Sequence, residues 1–518
     1  MSSDRTQNLP ESCTPIGNYL PEGWIEITLD QILQGLESGS RPKGGVRGIA
    51  EGIPSIGGEH INENGGFRFE TIKFVPHNFF KQMNHGQIQT GDILIVKDGA
   101  TTGKVALVRD DFPYNPAAVN EHVFICRPAK GVHSPFLFYF LFSREGQDRI
   151  LENFRGSAQG GINQSFAPGT TVPLAPSVEQ MRIVAKAGDL LPRVNIVRER
   201  LAKVPATLKR FRQAVLAAGS SGRLTADWRN GNVRYESGQQ ALLRIFGKKA
   251  LIKVPSDEDP FELHEIPQEW VWSRCQYLCE PERIITYGVI KLGPAVKNGI
   301  GTLRSSDVRW LYIDKDHIKC ISPKIAAEYS RTFLKGREIV ITVRGSLGGV
   351  AVASKEIVGF NISREVAMFP LHPELDPKFF SFAIASIWSQ NWLSEVTKGV
   401  AYTGINIRDL KRLPLPVPPI AEQYEIVRRV ESMFKLADVV EKRVAMATAR
   451  AKQLTQAILT KAFRGELVPT EAELASREGR SYEPASDLLA RIKSDKEMNE
   501  ISVKLHHKLD HKKRSKPR

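Results

Sequence analysis

Cysteine is scarce: Cys13, Cys126, Cys275, Cys279 and Cys320 are the five thiols in 518 residues, odd in number and scattered. That distribution excludes a disulfide framework and fits a reducing compartment. Cys275 and Cys279 have no second cysteine pair and no His-x3-5-His partner, so buried thiols are expected there rather than a metal site. Long hydrophobic runs are missing too. None approaches the roughly 18 consecutive apolar residues of a membrane-spanning helix, and the stretch Met1 to Pro10 has no apolar signal-peptide core. A soluble, cytoplasmic protein without a membrane partner is expected.

Acidic residues fall short of basic ones, 57 Asp and Glu against 72 Lys and Arg, for a formal net charge of +15. The excess favours an anionic partner, for which nucleic acid and acidic membrane are the usual candidates. Complete catalytic motifs are also absent. Gly99-Ala100-Thr101-Thr102-Gly103-Lys104 has one residue too few between its glycines for a phosphate-binding loop, and Val105 replaces the required Ser or Thr. Tyr114-Asn115-Pro116-Ala117 lacks the second proline and the aromatic residue of an adenine methyltransferase motif. Asp376-Pro377-Lys378 and Asp409-Leu410-Lys411 hold part of a nuclease pattern, without an upstream acidic partner or an apolar strand around them. His60, His85, His122 and His317 have no Ser or Cys nucleophile context. No catalytic residue, metal site or cofactor is expected in this chain.

What the sequence does contain is a repeat of itself. Val172-Pro173-Leu174-Ala175-Pro176-Ser177-Val178-Glu179-Gln180 returns as Leu415-Pro416-Val417-Pro418-Pro419-Ile420-Ala421-Glu422-Gln423, Pro173 falling on Pro416, 243 residues later. The same offset carries Gly161-Ile162-Asn163 onto Gly404-Ile405-Asn406, Gln213-Ala214-Val215-Leu216 onto Gln456-Ala457-Ile458-Leu459, and Gly222 and Leu224 onto Gly465 and Leu467. With small shifts Leu20-Pro21 and Trp24 match Ile266-Pro267 and Trp270, while Tyr235-Glu236 and Leu242 match Tyr482-Glu483 and Leu489. The chain is two similar units, and 41% hydrophobic content suffices for two or more cores.

Each unit begins with Pro-x-x-Trp and continues through β-branched runs such as Ile93-Leu94-Ile95-Val96 and Ile339-Val340-Ile341-Thr342-Val343, which read as buried strands. Helices are predicted at 134–153 and 377–396, and a mixed α/β (α+β) globule results. Beyond Glu179 and Glu422 the pattern turns heptad. Ile183, Leu190, Val197, Val204 and Phe211 alternate with Ala187, Val194, Leu201, Leu208 and Val215; Ile426, Met433, Val440, Ala447 and Leu454 alternate with Val430, Ala437, Val444, Ala451 and Ile458. Two such helices in one chain can pair. Pro192 and Pro205 predict a kink or break in the first. At about 1.5 Å per residue the unbroken stretches predict a rod of roughly 40 to 60 Å.

Bases are read by polar side chains on loops held by a rigid scaffold. On that ground the candidate DNA contacts in the first unit are Arg41, Lys43, Lys97, Thr101, Thr102, Lys104, Gln159, Asn163 and Gln164. In the second they are Lys291, Lys297, Arg304, Arg344, Ser346, Lys398, Tyr402, Thr403, Asn406 and Arg408. Two related domains on a fixed rod would contact DNA about one helical turn apart, roughly 34 to 36 Å. Their shared framework and differing side chains predict a gapped, asymmetric target.

The ordered set of two globules, Pro-x-x-Glu-Gln hinges, long helices, the element Leu208 to Leu216, and the exits Gly222-Arg223-Leu224 and Gly465-Glu466-Leu467 resembles the specificity subunits of Type I restriction and modification systems. The resemblance covers most of the chain. It implies two target-recognition domains separated by two long antiparallel coiled-coil helices that act as a ruler on a bipartite site in double-stranded DNA. The implied layout is an N-terminal extension 1–19, recognition domains 20–176 and 265–418, helices 177–225 and 419–467, a connector 226–264, and a C-terminal helical segment and basic tail 468–518. It implies two modification (methyltransferase) and two restriction subunits as partners, with S-adenosylmethionine, ATP and magnesium bound by them. Partner contacts are then expected along the helix seam, at Ile183, Leu190, Val197, Leu201, Leu208, Phe211, Ile426, Met433, Val440, Val444, Leu454 and Ile458. A free-standing nucleic-acid enzyme and a non-specific coiled-coil scaffold are the alternatives; the first lacks a catalytic motif and the second leaves two basic globules unexplained. The stretch from Arg491 to Arg518, with ten Lys or Arg against four Asp or Glu, reads as a disordered solubilising terminus in preference to a phosphate-contacting arm.

Overall fold

The computed structural model describes residues 20–156, 160–231, 235–250, 263–397 and 404–514. The chain divides into two compact units, Met1–Leu201 with Ala447–Arg518, and Ala202–Met446. Both ends of the chain therefore belong to the first unit.

Among the described residues the first unit contains nine strands: β1 (Ile25–Thr28), β2 (Leu33–Ser38), β3 (Ile53–Ile56), β4 (Lys73–Val75), β5 (Ile93–Val96), β6 (Val105–Leu107), β7 (Ala118–Val119), β8 (Val123–Pro128) and β9 (Thr171–Leu174). They form sheets ordered β2-β8-β5-β6 and β4-β3-β7 and a pair β1-β9. The second unit repeats this with β10 (Val271–Arg274), β11 (Thr286–Tyr287), β12 (Ile300–Leu303), β13 (Lys319–Ile321), β14 (Ile339–Thr342), β15 (Val350–Val352), β16 (Asn361–Ile362), β17 (Val366–Phe369) and β18 (Pro414–Val417). Its sheets run β11-β17-β14-β15, β13-β12-β16 and β10-β18, the same order strand for strand. Even the parallel pairing recurs, Ser55 opposite Ala118 in one unit and Thr302 opposite Asn361 in the other.

The apolar runs form central strands because both faces of their sheets are covered. Along β5, Ile93 and Ile95 join one core with Leu107 and Phe124, while Leu94 and Val96 face a second core with Ala106 and Ile125. Along β14, Ile339 and Ile341 face one way and Val340 the other in the same fashion. Alternating side chains with two buried faces leave no polar position, hence the continuous run.

The helices predicted at 134–153 and 377–396 are each two. Ser134–Phe142 is followed by Arg144–Leu151, and Pro377–Ala385 by Ile387–Thr397. The breaks fall at Ser143 and Ser386, both extended. The Ser143 hydroxyl donates to the Phe140 carbonyl at 2.6 Å and accepts from the Gly146 amide at 3.1 Å, and Ser386 donates to the Ala383 carbonyl at 2.7 Å. A serine whose hydroxyl closes one helix, and at Ser143 also caps the next, outweighs the apolar periodicity running across it.

Each globule is fixed to its long helix by a buried carboxylate. Glu179, in the first turn of the helix Ser177–Ser220, is fully buried; it accepts from Trp24 Nε1 at 3.0 Å and from the Glu471 amide at 2.8 Å. Glu422, in the first turn of the helix Ile420–Phe463, is equally buried and accepts from Trp270 Nε1 at 2.8 Å, from Thr225 Oγ1 at 2.6 Å and from Arg229. The neighbouring glutamine completes the joint. Gln180 accepts from the His133 amide at 2.9 Å and donates to the Ala175 carbonyl at 2.8 Å; Gln423 accepts from the Asp376 amide and donates to the Pro418 carbonyl, both at 3.0 Å. The repeated glycines press on the repeated prolines: a Cβ at Gly222 would lie 2.5 Å from Pro267 Cγ, and one at Gly465 2.4 Å from Pro21 Cγ. Ala485 donates to the Gly23 carbonyl at 2.9 Å as Gly238 does to that of Glu269 at 2.8 Å.

Both long helices are continuous over 44 residues. The expected break at Pro192 and Pro205 does not occur. Proline removes one amide and one hydrogen bond, and at Pro192 the flanking Leu191 and Val194 are held in the first unit's core. The pairing is antiparallel within the second unit, where Arg212 meets Asp438 at 2.7 Å and Glu441 at 2.8 Å, and a Cβ on Gly219 would touch Ile426 and Val430. Of the predicted seam, Ile183, Leu208, Ile426 and Ile458 are buried and Leu190, Leu201, Met433, Val440 and Val444 half-buried. Val197, Phe211 and Leu454 lie outside it, exposed at 49%, 38% and 51%. The other half of the heptad holds: Ala187 and Val194, Leu208 and Val215, Val430 and Ala437, and Ala451 and Ile458 are buried pairs seven residues apart. The basic C-terminal stretch expected to be disordered is helical in its backbone from Ala485 to Arg514.

Glu422→Ala should destabilise the chain by about 3–5 kcal/mol, because it strands the Arg229 cation, and Glu179→Ala by about 1–3 kcal/mol, because it strands neutral donors. Urea unfolding followed by helix circular dichroism measures both; equal, near-zero shifts would contradict the assignment. Pro205→Ala, at an exposed site in a continuous helix, should raise the unfolding midpoint, worth up to about 3 kcal/mol, and a lower midpoint would show that the proline acts mainly by restricting the unfolded chain.

Candidate nucleic-acid interface

The three loops chosen in the first unit converge at the end of β5. Ile162 donates its amide to the Lys97 carbonyl at 2.8 Å, and Lys97 donates to the His122 carbonyl at 2.8 Å. Asp98 pairs with Gly161 in an isolated bridge. Glu121, in the turn between β7 and β8, ties in the rest: its carboxylate meets Arg41 Nε at 2.7 Å, and its carbonyl accepts from Lys97 Nζ at 3.3 Å. His122 Nδ1 lies 2.6 Å from Asp98 Oδ1 and its Nε2 3.4 Å from Glu121 Oε1. Glu121 Oε2 is buried with no hydrogen-bond partner among the described residues.

The second unit builds the same corner at the end of β14. Ile405 donates to the Val343 carbonyl and Val343 to the Glu365 carbonyl, each at 2.8 Å, and Arg344 bridges Gly404. Glu365 stands 243 positions after His122, and its carboxylate accepts from Ser305 Oγ at 2.9 Å. The backbone scheme is common to both corners and the side chains are not. Asp98 and His122 in one are Arg344 and Glu365 in the other.

Close approach explains why the Gly-Ile-Asn loop repeats. A Cβ on Gly161 would lie 2.6 Å from the Lys97 carbonyl oxygen and 2.8 Å from Asp98 Cβ; one on Gly404 would lie 2.9 Å from the Val343 carbonyl oxygen and 3.2 Å from Arg344 Cγ. Any larger residue would push the loop off the strand end.

Several predicted contacts have local partners. Asn163 accepts from the Ser165 amide at 2.9 Å, and Asn406 caps the helix Ile407–Arg412 by accepting from the Arg408 amide at 3.1 Å. Arg304 forks onto Asp307 at 3.0 and 3.1 Å and reaches the His317 carbonyl at 2.8 Å, which pins the turn after β12. Thr102 bonds the Gly99 carbonyl at 2.7 Å, Lys104 approaches Glu63 at 3.7 Å, and Thr101 is half-buried beside them. Lys43, Gln164, Lys291, Lys297, Arg344, Ser346 and Arg408 are exposed. Gln159, Lys398, Tyr402 and Thr403 lie outside the described residues. Glu121, His122, Ser305 and Glu365 were not among the predicted contacts, although the 243-residue offset that pairs His122 with Glu365 was a usable signal.

The two neighbouring cysteines are engaged within the fold. Cys275 is buried, and Cys279 Sγ turns to the Cys275 carbonyl at 3.7 Å, with burial pushing its thiol up to about 12. Among the described residues no group of three or more His, Cys, Asp or Glu is placed to hold a metal ion, and no helix is long and apolar enough to cross a membrane.

The chain matches the family described as Type I restriction modification DNA specificity domain over residues 21–205 and 296–445. It is 29% identical over 486 residues to the Type I restriction enzyme EcoBI specificity subunit of Escherichia coli, covering 92% of this chain and 93% of that one. It is 31% identical over 372 residues to the EcoDI specificity subunit of Escherichia coli, covering 70% and 77%. In fold it is similar to the HsdS subunit from Thermoanaerobacter tengcongensis, with TM-score 0.50, 20% identity and coverage of 87% and 99%. A chain from a structure of the assembly and conformational transition of the type I R-M system gives TM-score 0.64 at 20% identity, covering 87% and 100%. The doubled sheet order, the two paired long helices and these likenesses agree: the chain belongs to the Type I restriction modification DNA specificity family and is a specificity subunit with two recognition domains.

Proposed function

We propose that the two recognition domains read the two halves of an asymmetric, gapped site in double-stranded DNA, one loop corner each, with the paired long helices setting the gap. The observation that carries this is the corner at the ends of β5 and β14. One set of backbone hydrogen bonds presents different side chains in the two units. A rigid framework with interchangeable loop side chains is what direct base readout requires, and unlike side chains predict unlike half-sites. The excess of basic residues supplies phosphate attraction independent of sequence.

In this reading the chain is a non-catalytic subunit of a cytoplasmic complex. Two modification subunits bring S-adenosylmethionine and methyl transfer; two restriction subunits bring ATP- and magnesium-dependent cleavage. The absence of any complete catalytic motif in the sequence supports that division of labour. The exposed Val197, Phe211 and Leu454 on the long helices offer apolar surface for those partners.

Single-molecule methylome sequencing of cells carrying this chain with its modification subunit, against a deletion of this chain alone, tests the proposal. Loss of one gapped, asymmetric methylated motif is the expected result; an unchanged methylome with the modification subunit expressed and active would refute it.

A further inference from the structure

Asp98 and Arg344 occupy one position of the repeated corner. Each follows the residue that donates to the 122 or 365 carbonyl, each forms the isolated bridge to the glycine of the Gly-Ile-Asn loop, and each lies against that glycine's missing side chain. Their charges are opposite. Arg344 is exposed and has no carboxylate within ion-pairing distance among the described residues. Asp98 keeps a carboxylate oxygen beyond the one that meets His122 Nδ1 at 2.6 Å, and its side chain is 37% exposed.

An outward guanidinium on a rigid corner matches the paired acceptors of guanine, O6 and N7, whereas a carboxylate accepts from the exocyclic amino group of cytosine or adenine. We infer that Arg344 selects a G·C pair in the half-site read by the second unit and that Asp98, held by His122, sets a base preference at the equivalent place in the other half. Resting on the proposed readout of DNA by these corners, the inference adds which residue reads and what it reads. Gly404 positions Arg344 by letting its Cγ pass close over the loop; among the described residues, a local carboxylate of the kind that turns Arg304 inward is missing at Arg344.

The experiment uses the full chain with its modification subunit in cells, comparing Arg344→Ala, Arg344→Lys, Asp98→Asn, wild type and the deletion by methylome sequencing. Arg344→Ala should let methylation spread to other bases at one G·C position of one half-site, discrimination there falling roughly 5- to 150-fold. Arg344→Lys, which keeps the charge without the planar fork, should loosen the same position, and it decides the matter if the alanine variant fails to accumulate. Asp98→Asn should loosen one position in the other half only. Unchanged motifs, a loosened A·T pair for Arg344, loosening of the same half by both sites, or full discrimination with Arg344→Lys would overturn the inference. So would uniform loss of methylation from a folded Arg344→Ala chain, the mark of a phosphate contact. Failure of the underlying reading shows separately, as a deletion strain whose methylome equals wild type.

Discussion

A buried carboxylate at the first turn of each long helix is the constraint on which the architecture depends. Glu179 and Glu422 sit where the helix presents unpaired amides and the positive end of its dipole, a favourable place for an anion. Full burial withdraws water from them, and at Glu179 that desolvation pushes the carboxyl upward despite hydrogen bonds from the Glu471 amide and Trp24. The charge is tolerable only when donors from elsewhere in the chain close around it. One donor is the tryptophan that opens the globule; the others come from the segment just past the Gly-x-Leu exit of the partner helix. Three separate stretches of sequence must meet for one carboxylate to be satisfied, so helix, globule and exit fold as one joint. The first unit meets that demand by drawing in Glu471 from the far end of the chain.

On that joint stands a sheet framework whose apolar content is fully committed. β5 and β14 are buried on both faces, so their ends are fixed points from which loops project. Loop corners on fixed points can change side chains without disturbing the core, and the two corners of this chain have done so: Asp98, Glu121 and His122 on one, Arg344, Ser305 and Glu365 on the other. Base-specific contacts need positions held to within fractions of an ångström, which a repeated backbone hydrogen-bond scheme provides.

The repeat was legible in the sequence because the joint conserves chemistry within the chain: proline, tryptophan, glutamate, glutamine and glycine return at one offset. Their partners were not legible, since Trp24 and Glu179 are 155 positions apart and no local pattern records a hydrogen bond of that span. The long helices were visible through their apolar spacing: Ala187, Val194, Leu208 and Val215 on one and Val430, Ala437, Ala451 and Ile458 on the other are buried at heptad positions, while Val197, Phe211 and Leu454 in the other half of the heptad are exposed. Neither proline breaks the first helix, and at Pro192 the core that holds Leu191 and Val194 was not legible from local propensity. Loop composition found the strands of backbone that form the corner, yet Arg304 and Asn406 are engaged by Asp307 and by a helix start, distinctions that only geometry makes.

The central claim is that two independent copies of one framework each determine one half of a DNA site. Replacing residues 25–174 with the matching segment of a relative of different specificity, while retaining Glu179, Gln180 and everything after them, tests it most directly by the methylated motif of cells carrying the chimera. The account predicts that one half of the motif changes to the relative's and the other half and the methyl-transfer activity persist. A chimera that folds and methylates but alters both halves, or neither, would contradict it.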